Sequence, residues 1–253
     1  MLPLMLSLLL LGAPQDPPKP PEPPSPERVE QALEELEESL EHGSVEEQVR
    51  RLTEASEVPC KEMALQLRKS LKSKSPKLVA AALQGLRWMR HPSALEVLHK
   101  AHASEKSLLR DASQHLALIK SIAQHGDKSS IRLLSQEIFA HKDGKIVQAH
   151  IYGLGMIRHK DSLEALFKLM SSNAPKKVQQ HMVLLRTSLM MLTGEDKGPR
   201  MEEWQDWWRE QEKGFEMQPR SKLIPRKILD HWTRYWGLDY VTERGPRRED
   251  RGR

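Results

Sequence analysis

The chain has 253 residues, 40 basic and 35 acidic side chains, a net charge of +5, and 38 % apolar residues. Even with its 13 Gly added, the apolar share stays below the ~45–50 % of an ordinary globular domain. This composition argues against one compact core and for a long, thin or partly unstructured molecule. A single Cys, Cys60, excludes an internal disulfide framework and any Cys-rich metal site.

The total charge hides a strong partition. Residues 1–42 carry 2 basic and 9 acidic side chains, and residues 43–57 carry 2 and 4. Residues 58–194 carry 22 and 9, a net +13. Residues 195–218 return to −4, and residues 219–253 end at +5. Asymmetry of this kind bears on partners and association rates rather than on fold.

In chain order, Leu2 to Leu11 is an apolar run interrupted only by Pro3 and Ser7. It is too short for a bilayer, which needs about 20 residues, and its length suits the apolar core of a secretory signal peptide. We therefore expect residues 1–15 to direct export to an extracytoplasmic location, periplasmic or secreted, with no transmembrane segment in the mature form. Residues 16–26 hold seven prolines and read as an extended, semi-rigid linker. Residues 27–57 read as two acidic capping helices. Ser44 is the N-cap of the second, and Glu47 completes a capping box.

Residues 58–194 contain an internal repeat. Shifting the chain by 68 residues aligns Val79–Leu98 with Val147–Leu166, with Gly85, Leu86, Arg90, His91, Leu95, Glu96 and Leu98 recurring in register. A middle copy lies 36 residues on, where Leu83, Leu86, Leu95 and Leu98 correspond to Ile119, Ile122, Ile131 and Leu134. The remaining step is 32. A period near 34 is that of stacked helical units. Apolar spacing at 79, 82, 83, 86 and 89, then at 94, 95 and 98, gives each copy two helices. In the middle copy the pattern predicts one unbroken helix from Glu105 to Gln124.

The Ala-rich second helices that end in Gly-Leu-x-x-Met-Arg-His (Gly85 to His91) and Gly-Leu-x-x-Ile-Arg-His (Gly153 to His159) resemble the HEAT-repeat family of armadillo-like α-solenoids. The resemblance covers residues 58–194. It implies an all-α fold, a right-handed α-solenoid of antiparallel helix pairs, and it is nearly silent on activity. Residues 195–240 read as a Trp-rich C-terminal cap. There the run Leu192-Thr193-Gly194 leads to Trp204, Trp207 and Trp208, which resembles the end of secreted bacterial HEAT-repeat-containing proteins. Spacing i, i+3, i+4 puts the three indoles on one face, either to cap the stack or to offer a stacking platform. A short helix from Pro225 to Gly237 follows and is able to fold back on the stack. Residues 241–253 read as a disordered basic tail.

Motifs for chemistry are scarce. The sequence has no Gly-rich phosphate loop, no Gly-x-Ser-x-Gly elbow and no His-Glu-x-x-His. Iron-dependent hydroxylases with the HEAT-like fold carry His-Glu dyads, and no His-Glu dipeptide occurs here. His99 and His102 share a helix face, but no acidic cluster joins them, so they read as solvated surface residues. His115 reads as a hydrogen-bonded residue at the edge of the core. We expect no catalytic residue, no cofactor and no metal.

What remains is a binding surface. In HEAT-like stacks the second helices line the concave side, which here would carry Arg87, Trp88, Lys120, Gln124, Tyr152, Met156 and Met191. Exposed together, these would form a basic, partly aromatic strip. The expectation is a non-enzymatic scaffold that docks a protein or another polyanionic envelope component. The alternatives are a nucleic-acid-backbone binder and, behind it, an enzyme subunit. In a further version the acidic amino-terminal helices neutralise the basic array.

Overall fold

The computed structural model describes residues 23–172, 174–217 and 224–238. The expected signal segment (1–15), most of the expected Pro-rich linker (16–26) and the expected basic tail (241–253) lie outside the described residues. The fold is all-α, and there is no strand among the described residues.

The helices run α1 (Pro26–His42), α2 (Val45–Glu54), α3 (Lys61–Ser70), α4 (Pro76–Trp88), α5 (Pro92–Ser104), α6 (Lys106–Arg110) and α7 (Ala112–Gln124). They continue as α8 (Ile131–Ser135), α9 (Gly144–Met156), α10 (Lys160–Met170), α11 (Pro175–Gln180), α12 (Met182–Thr193), α13 (Met201–Gln211) and α14 (Arg226–Trp236).

The repeat is visible in the backbone. Helices α4, α7 and α9 each have 13 residues and begin 36 and 32 residues apart, the same steps as the apolar pattern. Their boundaries follow from local chemistry. Pro76 and Pro92 open α4 and α5 at positions where the missing N–H costs nothing. The histidine of each Arg-His pair is an N-cap: Nδ1 of His91 accepts from the Ser93 amide, and Nδ1 of His159 from that of Asp161, both at 3.2 Å. Ser44 caps α2 through the Glu47 amide. Gly194 and Gly237 end α12 and α14 in the left-handed conformation that glycine adopts without strain.

One expectation fails here. Glu105 to Gln124 is not a single helix. Asp111 leaves the helical region, and its carboxylate accepts from the Gln114 amide at 2.8 Å, so the chain closes α6 and opens α7. A short side chain that competes for backbone donors favours a cap over a helix interior, and an unbroken apolar pattern does not reveal that break.

Packing joins the helices into two rows. Helices α2, α4, α7, α9 and α12 pack successively against one another, and α3 lies against α5 and α1 on the other side. Helices α8 and α10 continue this second side against α9. Close approach along the first row uses small residues. Gly85 lies against the Leu52 carbonyl, Gly153 against Ala123, and Gly155 against Ser188. Ser121 and Ser188 then donate across the row to the carbonyls of Leu83 (3.1 Å) and Ile151 (2.9 Å).

The core forms two clusters that meet at α7. Leu118 and Ile122 face the first, with Leu52, Leu67, Leu83, Leu86 and Leu98. Ile119 and Ala123 face the second, with Ile151, Leu154, Leu163, Leu166, Leu189 and the tryptophans of α13 and α14. Full burial of each leucine or isoleucine among them contributes roughly 1.5–3 kcal/mol.

Candidate partner-binding surface

The 36- and 32-residue steps place equivalent positions of α4, α7 and α9 side by side. Trp88, Gln124 and Met156 are the last residues of those helices. Lys120 and Tyr152 stand one turn earlier on α7 and α9. The expected strip is therefore assembled, but the chain fills much of it with its own C-terminal helix.

Helix α14 lies across the strip, and its buried indoles, Trp232 and Trp236, join the second core cluster. Tyr152 is only 1 % exposed. Its ring sits 5.1 Å from that of Trp232 and 4.9 Å, edge-on, from that of Tyr235, and its hydroxyl is 3.3 Å from Nε2 of His231. Burial raises the pKa of the Tyr152 phenol. Two cations meet the carbonyl end of α14. Lys120 Nζ donates to the Tyr235 carbonyl at 2.6 Å and lies 4.2 Å over the Tyr235 ring. Arg87 donates to the Trp236 carbonyl and, at 3.1 Å, to Oε1 of Gln124. The negative end of the helix dipole favours cations at this position. Burial, and then the charge of Arg87, push the Lys120 ammonium down to about 8. Burial also holds the Arg87 guanidinium below its ordinary value.

The expected strip is corrected accordingly. Tyr152 and Lys120 are engaged within the molecule and are not free for a partner. Met156 and Met191 are half-buried against the second core cluster, and the Met191 carbonyl accepts from Arg158. Sequence periodicity identified the face but could not show that α14 would cover it. The signal was present in the Trp232–Tyr235–Trp236 stripe of that helix.

Arg87, Trp88 and Gln124 border what stays open. Between the C-terminal ends of α4 and α7 and the start of α5 is an open cleft of about 570 Å³. Arg87, Trp88, Arg90, Glu96, His125 and Asp127 are among its lining, two arginines facing two carboxylates. The Arg87 guanidinium lies 5.0 Å from the centre of the Trp88 ring, a cation–π pair at the rim. Arg90 is exposed and makes no ion pair among the described residues. Its repeat equivalent, Arg158, instead donates to the Met191 and Leu192 carbonyls near the end of α12. The two arginines therefore share a register but not a role.

The three indoles of α13 are distributed unequally. Trp204 is fully buried, with its Nε1–H donating to the Gly198 carbonyl at 2.9 Å. Trp208 is nearly buried and stacks on Phe167 of α10, 5.0 Å between ring centres and 9° from parallel. Trp207 is half-buried and meets Phe215 edge-on at 6.0 Å. These residues cover the α10 end of the helix stack, and Trp204 and Trp208 offer no open ring face for a ligand.

Two further groups bear on chemistry. Cys60 is the N-cap of α3, where its Sγ accepts from the Met63 amide, and burial raises its pKa, so the thiol is not activated. Away from the cleft, His115, His141 and His150 come together. The sequence suggests no metal and a hydrogen-bonded His115, yet its Nε2 is buried without a partner among the described residues. Separations of 26 and 9 residues match no helical spacing, so only the fold reveals the group.

No protein-family model matches the chain, and no curated protein sequence is similar to it.

Proposed function

We propose that the protein is a non-enzymatic α-solenoid scaffold of right-handed, HEAT-like helix pairs that docks the acidic segment of a partner protein at the Arg87–Arg90 cleft. The equal lengths of α4, α7 and α9, their 36- and 32-residue steps and the successive packing of the first row support the solenoid reading. The apolar run Leu2 to Leu11 supports export of this scaffold to an extracytoplasmic compartment.

The observation that carries the docking reading is the open cleft itself. It is a part of that face that α14 leaves uncovered, it lies within a segment of net charge +13, and its lining sets Arg87 and Arg90 against Glu96 and Asp127. Trp88 gives it a flat apolar wall, and Arg90 gives it a cation with no ion pair among the described residues. An acidic, partly apolar peptide matches both features.

The test uses a fluorescent Glu-rich peptide and the full chain. Arg90→Glu should weaken binding by roughly tenfold or more and leave the melting temperature unchanged, because Arg90 is exposed. Equal affinity of the variant and the parent would overturn the proposal. Preferential binding of duplex DNA over the peptide would overturn it in favour of a nucleic-acid backbone partner.

A further inference from the structure

The turn before α9 brings His141 against α7 and α9, where it meets His115 and His150. One ring nitrogen of each of these histidines lies within 4.8 Å of the other two. His141 stacks on His150 at 4.9 Å and meets His115 edge-on at 5.2 Å. His150 is 2 % exposed and His115 6 %.

The protonation state follows from a hydrogen bond. Nδ1 of His150 is 2.9 Å from the Leu134 carbonyl oxygen. A carbonyl only accepts, so Nδ1 carries the proton and Nε2 carries a lone pair. That Nε2 is buried and has no hydrogen-bond partner among the described residues, and the same is true of Nε2 of His115. Two orphaned nitrogens in one place call for an occupant. Burial, reinforced by the neighbouring imidazoles, holds His115 and His150 near a pKa of about 4, so both are neutral at pH 7. Neutral imidazole is the form that binds metal.

We propose that His115, His141 and His150 form a binding site for one divalent transition-metal ion of the zinc class. The donor set selects the class. Three imidazoles without a carboxylate suit zinc, copper or nickel and offer nothing to calcium or magnesium. Zn–N bonds of about 2.0–2.1 Å place tetrahedral ligand atoms about 3.3 Å apart, so modest inward rotation of the rings from the observed spacing closes the site. The Leu134 carbonyl orients His150 in the manner of an outer-shell partner, fixing both its tautomer and its ring plane. His141 is half-buried on a turn, which gives the ion a route in and supplies the most adjustable ligand. Three protein ligands leave a fourth position. It falls to water or to His102, whose ring lies 6.3 Å from that of His115. Glu137 is the carboxylate whose charge reaches His141. The bound ion would tie α7, α9 and the intervening turn together. This inference does not depend on the docking proposal.

The experiment uses the full chain, stripped with a chelator and titrated with Zn²⁺, and separately with Co²⁺ for its visible spectrum. We expect one equivalent to bind, the melting temperature to rise with free metal, and Co²⁺ to show the intense bands of tetrahedral nitrogen ligation. His141→Gln, at a half-buried turn where the fold tolerates change, should lose roughly tenfold or more in affinity. His115→Gln should do the same. His42→Gln, on the exposed side of α1, should bind as the parent does. Absence of stoichiometric binding would overturn the proposal. Parental affinity in His141→Gln would do the same, even if His115→Gln fails to fold, as would a matching loss in His42→Gln.

Discussion

The Lys120 ammonium donates to the main-chain carbonyl of Tyr235 at 2.6 Å, across 115 residues of sequence, and rests over the ring of the same residue. With Arg87 on the Trp236 carbonyl, it fixes the end of α14 on the face that the repeat builds from α4, α7 and α9. The contact turns the C-terminal helix into part of the stack and decides which basic groups remain available.

This contact predicts a pH signature. Burial and the charge of Arg87 hold the folded-state pKa of Lys120 at about 8, below its ordinary value of 10.5. The unfolded chain therefore binds more protons between those values, and stability should rise with pH across that window. Tyr235, with its pKa raised by burial and by Tyr152, acts in the opposite direction only above its ordinary value of 10. Between pH 8 and 10, urea unfolding should show a positive slope in the parent that Lys120→Met reduces. Identical slopes would show that Lys120 is not desolvated by α14.

Removing an anchor of α14 should expose the face beneath it. Trp236 is fully buried and meets Tyr235 edge-on at 5.0 Å. Trp236→Ala should undock the helix at a cost of up to about 3–5 kcal/mol, limited by the free energy of docking itself. Dye binding to exposed apolar surface should increase and tryptophan emission should shift to the red. An unchanged spectrum would contradict the packing described.

Two glycines should respond with opposite signs. A Cβ on Gly85 would stand 2.2 Å from the Leu52 carbonyl, whereas one on Gly144 would meet nothing within 4 Å. Gly85→Ala should destabilise by about 1–3 kcal/mol because α2 and α4 must separate. Gly144→Ala, in the first turn of α9, should stabilise by about 0.4–1 kcal/mol through the unfolded chain. Thermal melts of the pair test whether close helix approach or loop chemistry explains the repeated glycine.

Much of this architecture was legible because it depends on local periodicity. Apolar spacing and its 36- and 32-residue steps located α4, α7 and α9. Ser44, Pro92 and Gly237 marked helix ends through their backbone chemistry. The Arg-His pairs stood out as a repeat, but their meaning required geometry: the histidines cap α5 and α10, while Arg90 and Arg158 diverge. Asp111 broke a helix that its apolar pattern allowed to continue. The covered strip and the His115–His141–His150 cluster depend on contacts between distant segments, which no sequence period encodes.

The Asp111 cap has its own consequence. Asp111→Ala should cost about 0.5–2 kcal/mol, since the Gln114 amide loses its acceptor at 2.8 Å. Asp111→Asn should recover most of that loss. Equal destabilisation by both would show that the carboxylate acts through charge instead.

The central claim is that the Arg87–Arg90 cleft, left open by α14, recruits an acidic segment. Its most direct measurement is the affinity of the full chain for a Glu-rich peptide as salt rises from about 50 mM to about 500 mM. The account predicts binding at low salt that weakens steadily across this range. Absence of binding at low salt, or affinity that does not change with salt, would contradict it.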